Sequence, residues 1–88
     1  MIYSVYAIYS KVNRSIYVGM SSGITRRVSE HNKGMVKSTK PYRPWICFYK
    51  EEIGSRLDAR KREKYLKSGC GKEYLKAILN SKSHYLVD

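Results

Sequence analysis

Acidic residues are scarce in this chain. Asp and Glu number 7 against 18 Lys and Arg, which gives a formal net charge of +11 over 88 residues. Positive charge of this density attracts polyanions and accelerates encounters with them. It favours a nucleic-acid partner, DNA or RNA, over a membrane surface, for which no basic amphipathic interface helix is visible. Charge alone does not distinguish an enzyme from a basic protein whose charge only keeps it soluble.

Cysteine is also scarce, with Cys47 and Cys70 only, and neither belongs to a Cys-x-x-Cys pair or a His/Cys cluster. This pattern argues against a zinc site. The longest apolar run is far shorter than the roughly 20 residues that cross a membrane. The start, MIYSVYAIY, is too short and too rich in tyrosine for a secretory segment. We therefore expect a cytoplasmic protein with reduced cysteines and no membrane partner.

Phenylalanine and tryptophan occur once each, whereas tyrosine occurs nine times. With 42% hydrophobic residues, the chain is too apolar for disorder and long enough for one modest core. We predict a single domain over residues 1–88 and take a monomer, rather than an oligomer, as its default state.

The first third of the chain predicts a β-hairpin. Residues 2–9 and the run SIYVGM are rich in β-branched and aromatic residues, with turn chemistry between them. A register in which Tyr6 faces Gly19 and Ile8 faces Tyr17 makes the two tyrosines diagonal neighbours on one face of the sheet. Gly19 would then leave open space opposite Tyr6, suited to the close approach of a ligand or a backbone.

Three helices and one more strand follow in the predicted order. A serine start signal precedes a helix over 23–33, and the run PWICFYKEEI predicts a strand after a basic loop at 34–43. A capping box of Ser55 and Asp58 begins a longer helix. KEYLKAILNS predicts a shorter last helix, and the tail after Asn80 carries no clear signal. The fold class is α+β: a three-stranded, mainly antiparallel sheet flanked by helices, in the order β-β-α-β-α-α.

Three residues on two predicted helices carry candidate chemistry. Arg27 and His31 lie four residues apart and share a helix face. Glu63 is a carboxylate in the most basic helical segment, where it can hold one divalent cation against a phosphate, since Mg²⁺ takes one or two carboxylates and keeps waters. Simpler interpretations stay open: an exposed Glu63–Lys67 ion pair, a solvated Arg27 and His31, and half-buried core tyrosines.

The order and spacing of these residues resemble the GIY-YIG nuclease family, in particular its short stand-alone members. In place of the first family motif stands Ser4-Val5-Tyr6, in which only the tyrosine is kept, and in place of the second stands Tyr17-Val18-Gly19. The resemblance places the arginine of the family at Arg27, its histidine at His31 and its metal-binding glutamate at Glu63.

One departure concerns the asparagine that many members of the family carry on the helix after the glutamate. The only candidate for it is Asn80, which comes later than the family pattern leads us to expect. The resemblance therefore leaves open whether Asn80 takes part in the site.

The resemblance implies a metal-dependent endonuclease that hydrolyses phosphodiester bonds in DNA, with one Mg²⁺ or Mn²⁺ ion, in DNA repair or recombination. Glu63 would hold the ion, and Tyr6 would act as general base with a pKa lowered by nearby cations. Tyr17 would hydrogen-bond the water or the phosphate, and Arg27 would offset charge on the phosphoryl oxygens. His31 would relay a proton from Tyr6 or position it.

Six further basic residues are candidates for gripping the nucleic-acid backbone: Lys37, Lys40, Arg43, Lys61, Arg62 and Lys64. Trp45 or Tyr42 is a candidate for stacking on an unpaired base. Because phosphate contacts carry no sequence code, we expect structure-selective or weakly sequence-specific cutting, or targeting by a partner protein. The alternatives are a catalytically inactive nucleic-acid-binding module of the same fold and an unrelated basic α+β domain.

Overall fold

The computed structural model describes residues 1–82, which form three strands and three α-helices in the predicted order. They are β1 (Tyr3–Ser10), β2 (Ile16–Ser21), α1 (Ile24–Asn32), β3 (Trp45–Gly54), α2 (Arg56–Lys67) and α3 (Gly69–Lys82). A 3₁₀ turn, Lys40–Tyr42, lies in the basic loop. The strand order is β2-β1-β3 with both pairings antiparallel. The predicted α+β class and order of elements are confirmed.

The predicted hairpin register is confirmed, because Tyr6 pairs with Gly19 and Ile8 pairs with Tyr17. Tyr6 and Tyr17 therefore lie on the same face of the sheet. The expected open space at Gly19 is wrong. The Tyr6 phenol itself fills it, and a Cβ at position 19 would lie 2.6 Å from Tyr6 Oη.

The side chains of β1 alternate between two hydrophobic clusters, because successive residues of a strand point to opposite faces. One cluster joins the sheet to α2 and α3 and contains Val5, Ala7, Tyr9, Ala59, Leu66 and Leu75. The other lies on the α1 side and contains Tyr6, Ile8 and Trp45, with Tyr17, Ile24 and Val28 packed against them. The central strand is thus covered on both faces, which explains its nearly continuous apolar sequence.

The two C-terminal helices meet where the sequence places glycines. Ser55 caps α2 as predicted, with its Oγ accepting the Asp58 N–H at 3.1 Å. Helix α3 begins at Gly69, three residues before the predicted start at Lys72. The reason is close packing, because a Cβ at Gly71 would overlap the Tyr65 carbonyl oxygen on α2.

Helix boundaries elsewhere differ slightly from the expectation. The residue before α1 is Gly23, and the Ser21 hydroxyl accepts the Gly23 N–H at 2.9 Å instead of capping the helix. Helix α3 continues past Asn80 to Lys82, whose Nζ donates to the Phe48 carbonyl at 2.8 Å. The rest of the predicted tail, 83–88, lies outside the described residues. None of the helices within 1–82 has the length and apolar character that a membrane crossing requires.

Candidate active site

A buried hydrogen bond joins two of the predicted site residues. Tyr6 Oη lies 2.8 Å from His31 Nε2, and the two residues are 1% and 0% exposed. Tyr6 projects from the central strand, and His31 from the last turn of α1. The packing of α1 against this face of the sheet brings the two rings together across 25 positions of sequence.

The second ring nitrogen of His31 contacts a residue that the sequence did not single out. His31 Nδ1 lies 2.8 Å from Thr39 Oγ1, and Thr39 is 1% exposed. The Thr39 carbonyl accepts the Trp45 indole N–H at 2.8 Å. Thr39 lies in the loop 34–43, where the sequence singles out only basic residues and Tyr42, and no periodicity or charge marks Thr39.

Aromatic rings enclose the His31 imidazole. The Tyr17 ring centroid lies 4.9 Å from that of His31 and 6.4 Å from that of Trp45, edge to face in both cases. Trp45 is 4% exposed, so its candidacy for base stacking is wrong: the ring belongs to the core. Tyr42 is 40% exposed, and its stacking role stays a prediction.

Arg27 reaches the site from the solvent side, with 36% of its side chain exposed. Its guanidinium donates to Glu30 Oε1 at 3.0 Å, and its positive charge acts on the Tyr6 phenol, whose pKa it lowers. Glu30 also accepts from Arg26 at 2.9 Å. Sequence reasoning did not use Glu30, although its spacings of three and four residues from two arginines are typical of helical ion pairs.

Glu63 approaches the site from α2 and is largely buried. Its side chain is 11% exposed, with Lys67 Nζ at 3.3 Å and Arg60 Nε at 3.8 Å. The ion pair with Lys67 therefore forms, but the alternative interpretation of it as an exposed pair is wrong for Glu63. The negative charge of Glu63 acts on Tyr6, where it raises the pKa of the phenol.

The side chains of this site suit a divalent cation such as Mg²⁺ rather than zinc. Within residues 1–82, no three His, Cys, Asp or Glu side chains are grouped so that they could hold a metal ion. A buried single carboxylate suits an ion that keeps waters and takes substrate oxygens, as Mg²⁺ does, and it does not suit a zinc cage. Glu63 is thus the residue of this site that fits a divalent cation.

The two titratable groups of the central pair are both held neutral. The pKa of Tyr6 is raised to about 12, mainly by burial and then by the charge of Tyr17, while Arg27 acts in the opposite direction by less. The expected lowering of the Tyr6 pKa by protein cations is therefore wrong in its net direction. Burial, followed by the charge of Arg27, lowers the pKa of His31 from its ordinary 6.5. A neutral His31 beside a protonated Tyr6 is the arrangement at pH 7.

The candidate phosphate-binding residues fall into two groups. Five have exposed side chains: Lys37, Lys40, Arg43, Lys61 and Lys64. Arg62 differs, because its Nε lies 2.8 Å from Glu51 Oε1 and its guanidinium lies over the Tyr65 ring at 5.2 Å. Their contacts with phosphates stay predictions, and the ion pair of Arg62 favours a role within the fold.

Asn80 lies away from the central pair. It lines a cleft of about 460 Å³ together with Arg14 and Lys76, and none of the predicted catalytic residues borders this cleft. Cys47 is half-buried, Cys70 is exposed, and both are free thiols.

Comparison with known proteins identifies relatives along most of the chain. The family model described as the GIY-YIG catalytic domain matches residues 2–74. A UPF0213 protein of Staphylococcus haemolyticus is 35% identical over 75 residues, which cover 84% of this chain and 90% of that protein. One of Staphylococcus saprophyticus is 35% identical over 65 residues, covering 73% and 79%.

A solved structure also matches. The solution NMR structure of the UPF0213 protein BH0048 from Bacillus halodurans is 27% identical and superposes with a TM-score of 0.54, covering 89% of this chain and 85% of that one. The range 2–74 of the family match contains the five predicted catalytic and metal-binding residues, whereas Asn80 lies beyond it.

Proposed function

The chain belongs to the GIY-YIG family, and from this premise we propose that it is a metal-dependent endonuclease that hydrolyses phosphodiester bonds in DNA. The observation that carries the proposal is the buried 2.8 Å hydrogen bond between Tyr6 Oη and His31 Nε2. This hydrogen bond joins a phenol to a neutral imidazole, and the charges of Arg27 and Glu63 both act on the phenol. This arrangement supports proton transfer beside a phosphate.

The proton path begins at the attacking water. A phenol with a pKa of about 12 is a poor base unless its own proton leaves in the same step. His31 Nε2 receives that proton, while Tyr6 Oη takes one from the water. The resulting hydroxide attacks phosphorus, the bond from phosphorus to the 3′ oxygen breaks, and the leaving 3′ oxygen takes a proton from solvent water. Burial of the pair directs the Tyr6 proton to His31 rather than to bulk solvent.

Arg27 and Tyr17 act on the phosphate. The planar guanidinium of Arg27 matches two phosphoryl oxygens and stabilises the charge that develops on them. Glu30 fixes the position of Arg27 through the 3.0 Å hydrogen bond. Tyr17 is only half-buried, so its hydroxyl donates to the attacking water or to a phosphate oxygen.

Glu63 would hold one Mg²⁺ or Mn²⁺ ion. Such an ion, when bound, polarises a non-bridging phosphate oxygen and stabilises the leaving oxygen. Because Glu63 is a single carboxylate, a bound ion would need water and phosphate oxygens for the rest of its coordination. The burial of Glu63 supports this role, since a carboxylate placed only for solubility would be exposed.

The wider proposal concerns the substrate and its setting. The exposed lysines of the basic loop and of α2 supply phosphate contacts without a sequence code. Cutting is then weakly sequence-specific or structure-selective, on DNA and in principle on RNA, as expected for a monomeric cytoplasmic enzyme of DNA repair or recombination. A targeting protein would supply any further selectivity.

Nicking assays on branched and linear DNA, with Mg²⁺ or Mn²⁺, test the proposal. We expect cutting by the wild type, none with EDTA, and losses of at least about 100-fold in Tyr6→Phe and Glu63→Ala. Matched controls are Tyr74→Phe, an exposed tyrosine, and Glu73→Ala, an exposed glutamate. Unchanged cutting by Tyr6→Phe and Glu63→Ala would refute the proposal.

The same assay separates the enzyme from a binding module. DNA binding with a steep salt dependence, and no cutting with either metal, would identify a catalytically inactive module of the same fold.

A further inference from the structure

The hydrogen bonds around Tyr6 and His31 can be assigned a direction. The Arg27 guanidinium, whose positive charge acts on the Tyr6 phenol, has donors only and cannot accept the Tyr6 proton. The Tyr6 hydroxyl keeps its proton at pH 7, because its pKa is about 12. The structure places the acceptor for that proton at His31 Nε2, 2.8 Å away. Nε2 therefore lacks a proton.

The second ring nitrogen follows from the first. A neutral imidazole carries one proton, so it lies on His31 Nδ1, which donates to Thr39 Oγ1 at 2.8 Å. The Thr39 hydroxyl proton then points to the Val36 carbonyl at 3.3 Å. Every buried side-chain N and O atom in the described part of the chain has a partner, and this direction satisfies each atom of the series from Tyr6 through His31 and Thr39 to Val36.

The opposite direction leaves a donor without an acceptor. If Thr39 donated to Nδ1, the imidazole proton would lie on Nε2 and would donate to Tyr6 Oη. The Tyr6 O–H would then face the donor Nε2, and Arg27 could not accept its proton, inside a residue that is 1% exposed. An unpaired buried hydroxyl is destabilising, so this direction is disfavoured.

We propose that Thr39 is a positioning residue, which fixes the tautomer of His31 so that Nε2 stays free to receive a proton from Tyr6. The catalytic consequence rests on the proposed endonuclease activity, whereas the tautomer is a property of the free protein. Thr39 is well held for this role: its carbonyl accepts from Trp45 Nε1 at 2.8 Å, and its N–H donates to Val36 at 3.1 Å.

A hydroxyl serves this position differently from a carboxylate. Thr39 Oγ1 accepts the Nδ1–H of both the neutral ring and the imidazolium, so the transfer from Tyr6 requires no rearrangement on that side of the ring. A carboxylate would add a negative charge and favour a permanently charged imidazole. Thr39 instead selects the tautomer and leaves His31 neutral, ready to accept a proton.

Nitrogen NMR of the His31 ring tests the tautomer in the free protein, without DNA or metal. The chain has two histidines, so a His84→Gln background leaves His31 as the only one. We expect the Nδ1–H form in the wild type and in Thr39→Ser, and a shift toward the Nε2–H form in Thr39→Val, which keeps the shape and loses the hydroxyl. A wild-type proton on Nε2, or an unchanged tautomer in Thr39→Val, would overturn the inference.

Single-turnover cleavage with Mg²⁺ tests the consequence. We expect Thr39→Val to cut about 10- to 100-fold more slowly, with unchanged affinity for DNA, and Thr39→Ser to stay close to the wild type. Equal rates in Thr39→Val and the wild type would contradict the role. If the wild type itself cuts nothing, the proposed function fails while the NMR result still decides the tautomer. If Thr39→Val does not fold, the tautomer of His31 in the wild type still tests the inference, and a proton on Nε2 overturns it.

Discussion

At the scale of single residues, the site depends on the missing side chain of Gly19. The Tyr6 ring lies over Gly19 of β2, with its Oη and Cζ close to the place that a Cβ of residue 19 would occupy. The phenol is thereby directed at His31, 2.8 Å away. A glycine that the sequence suggests as space for a ligand is in fact space for the Tyr6 phenol.

Gly19→Ala should therefore displace Tyr6 and break its hydrogen bond with His31. The new Cβ would lie 2.6 Å from Tyr6 Oη, and we expect a loss of about 1–3 kcal/mol in the free energy of unfolding. Urea denaturation measures it. Gly23→Ala is the control, because the nearest atom to its Cβ is Arg26 Nε at 3.6 Å, on a flexible side chain. Equal stability of the two variants would contradict the packing.

His31 should make stability depend on pH in a defined window. Its pKa is lowered on folding from the ordinary 6.5, mainly by burial, so the unfolded chain binds the proton more readily. The free energy of unfolding should fall as pH drops below about 6.5 and level off below the lowered pKa.

Urea denaturation between pH 7.5 and 5 measures this dependence, and His31→Gln should abolish it. Glu30 and Glu51, whose pKa values lie below their ordinary 4.5, remove stability only at lower pH. A wild type and a His31→Gln variant with the same slope in that window would show that His31 is not buried in its neutral form.

The sequence predicts part of this site for a physical reason. The period of a strand fixes which side chains share a face, so that Tyr6 and Tyr17 could be placed together once the hairpin register was set. Thr39 could not be found in this way. Its position depends on the path of the loop 34–43, which is held by tertiary contacts such as Trp45 Nε1 with the Thr39 carbonyl.

At the scale of elements, the site lies where helices cover both faces of a three-stranded sheet. Helix α1 brings His31 to the Tyr6 face, and α2 brings Glu63 close enough for its charge to act on Tyr6. The order of these elements follows from the sequence. The start of α3 does not follow from the sequence, because Gly69 and Gly71 predict a break in the chain. Gly71 instead allows α3 to pack tightly against α2.

Gly71→Ala should strongly destabilise the contact between α2 and α3. Its Cβ would overlap backbone atoms of Tyr65 and Leu66, which cannot rotate away. We expect a loss of about 3 kcal/mol, the upper part of the usual range for overpacking. Gly69→Ala is the matched control, since a Cβ there meets nothing within 4 Å. Thermal unfolding of both variants measures the difference, and equal melting temperatures would contradict the close approach.

At the scale of the whole molecule, the net charge of +11 governs encounters with polyanions. The structure divides the predicted phosphate-binding residues by their partners. Lys64 is exposed, whereas Arg62 is joined to Glu51 at 2.8 Å and lies over Tyr65. Charge counting could not make this distinction, because both residues occupy the same basic helix and Glu51 comes from β3.

Lys64→Ala should reduce the slope of log affinity for DNA against log salt by about 1, with little change in stability. Arg62→Ala should instead lower the melting temperature and leave the slope nearly unchanged. Fluorescence anisotropy of a labelled duplex over a salt series measures the slopes. A larger change of slope in Arg62→Ala than in Lys64→Ala would reverse the assignment.

The central claim is that Tyr6 and His31 act as one proton-transfer unit. Single-turnover cleavage of branched DNA with Mg²⁺ by Tyr6→Phe, His31→Gln and the double variant tests it most directly. Residues that act as a unit are non-additive, so the double variant should be no slower than the slower single variant. Losses that multiply in the double variant, or single variants that cut as fast as the wild type, would contradict the claim.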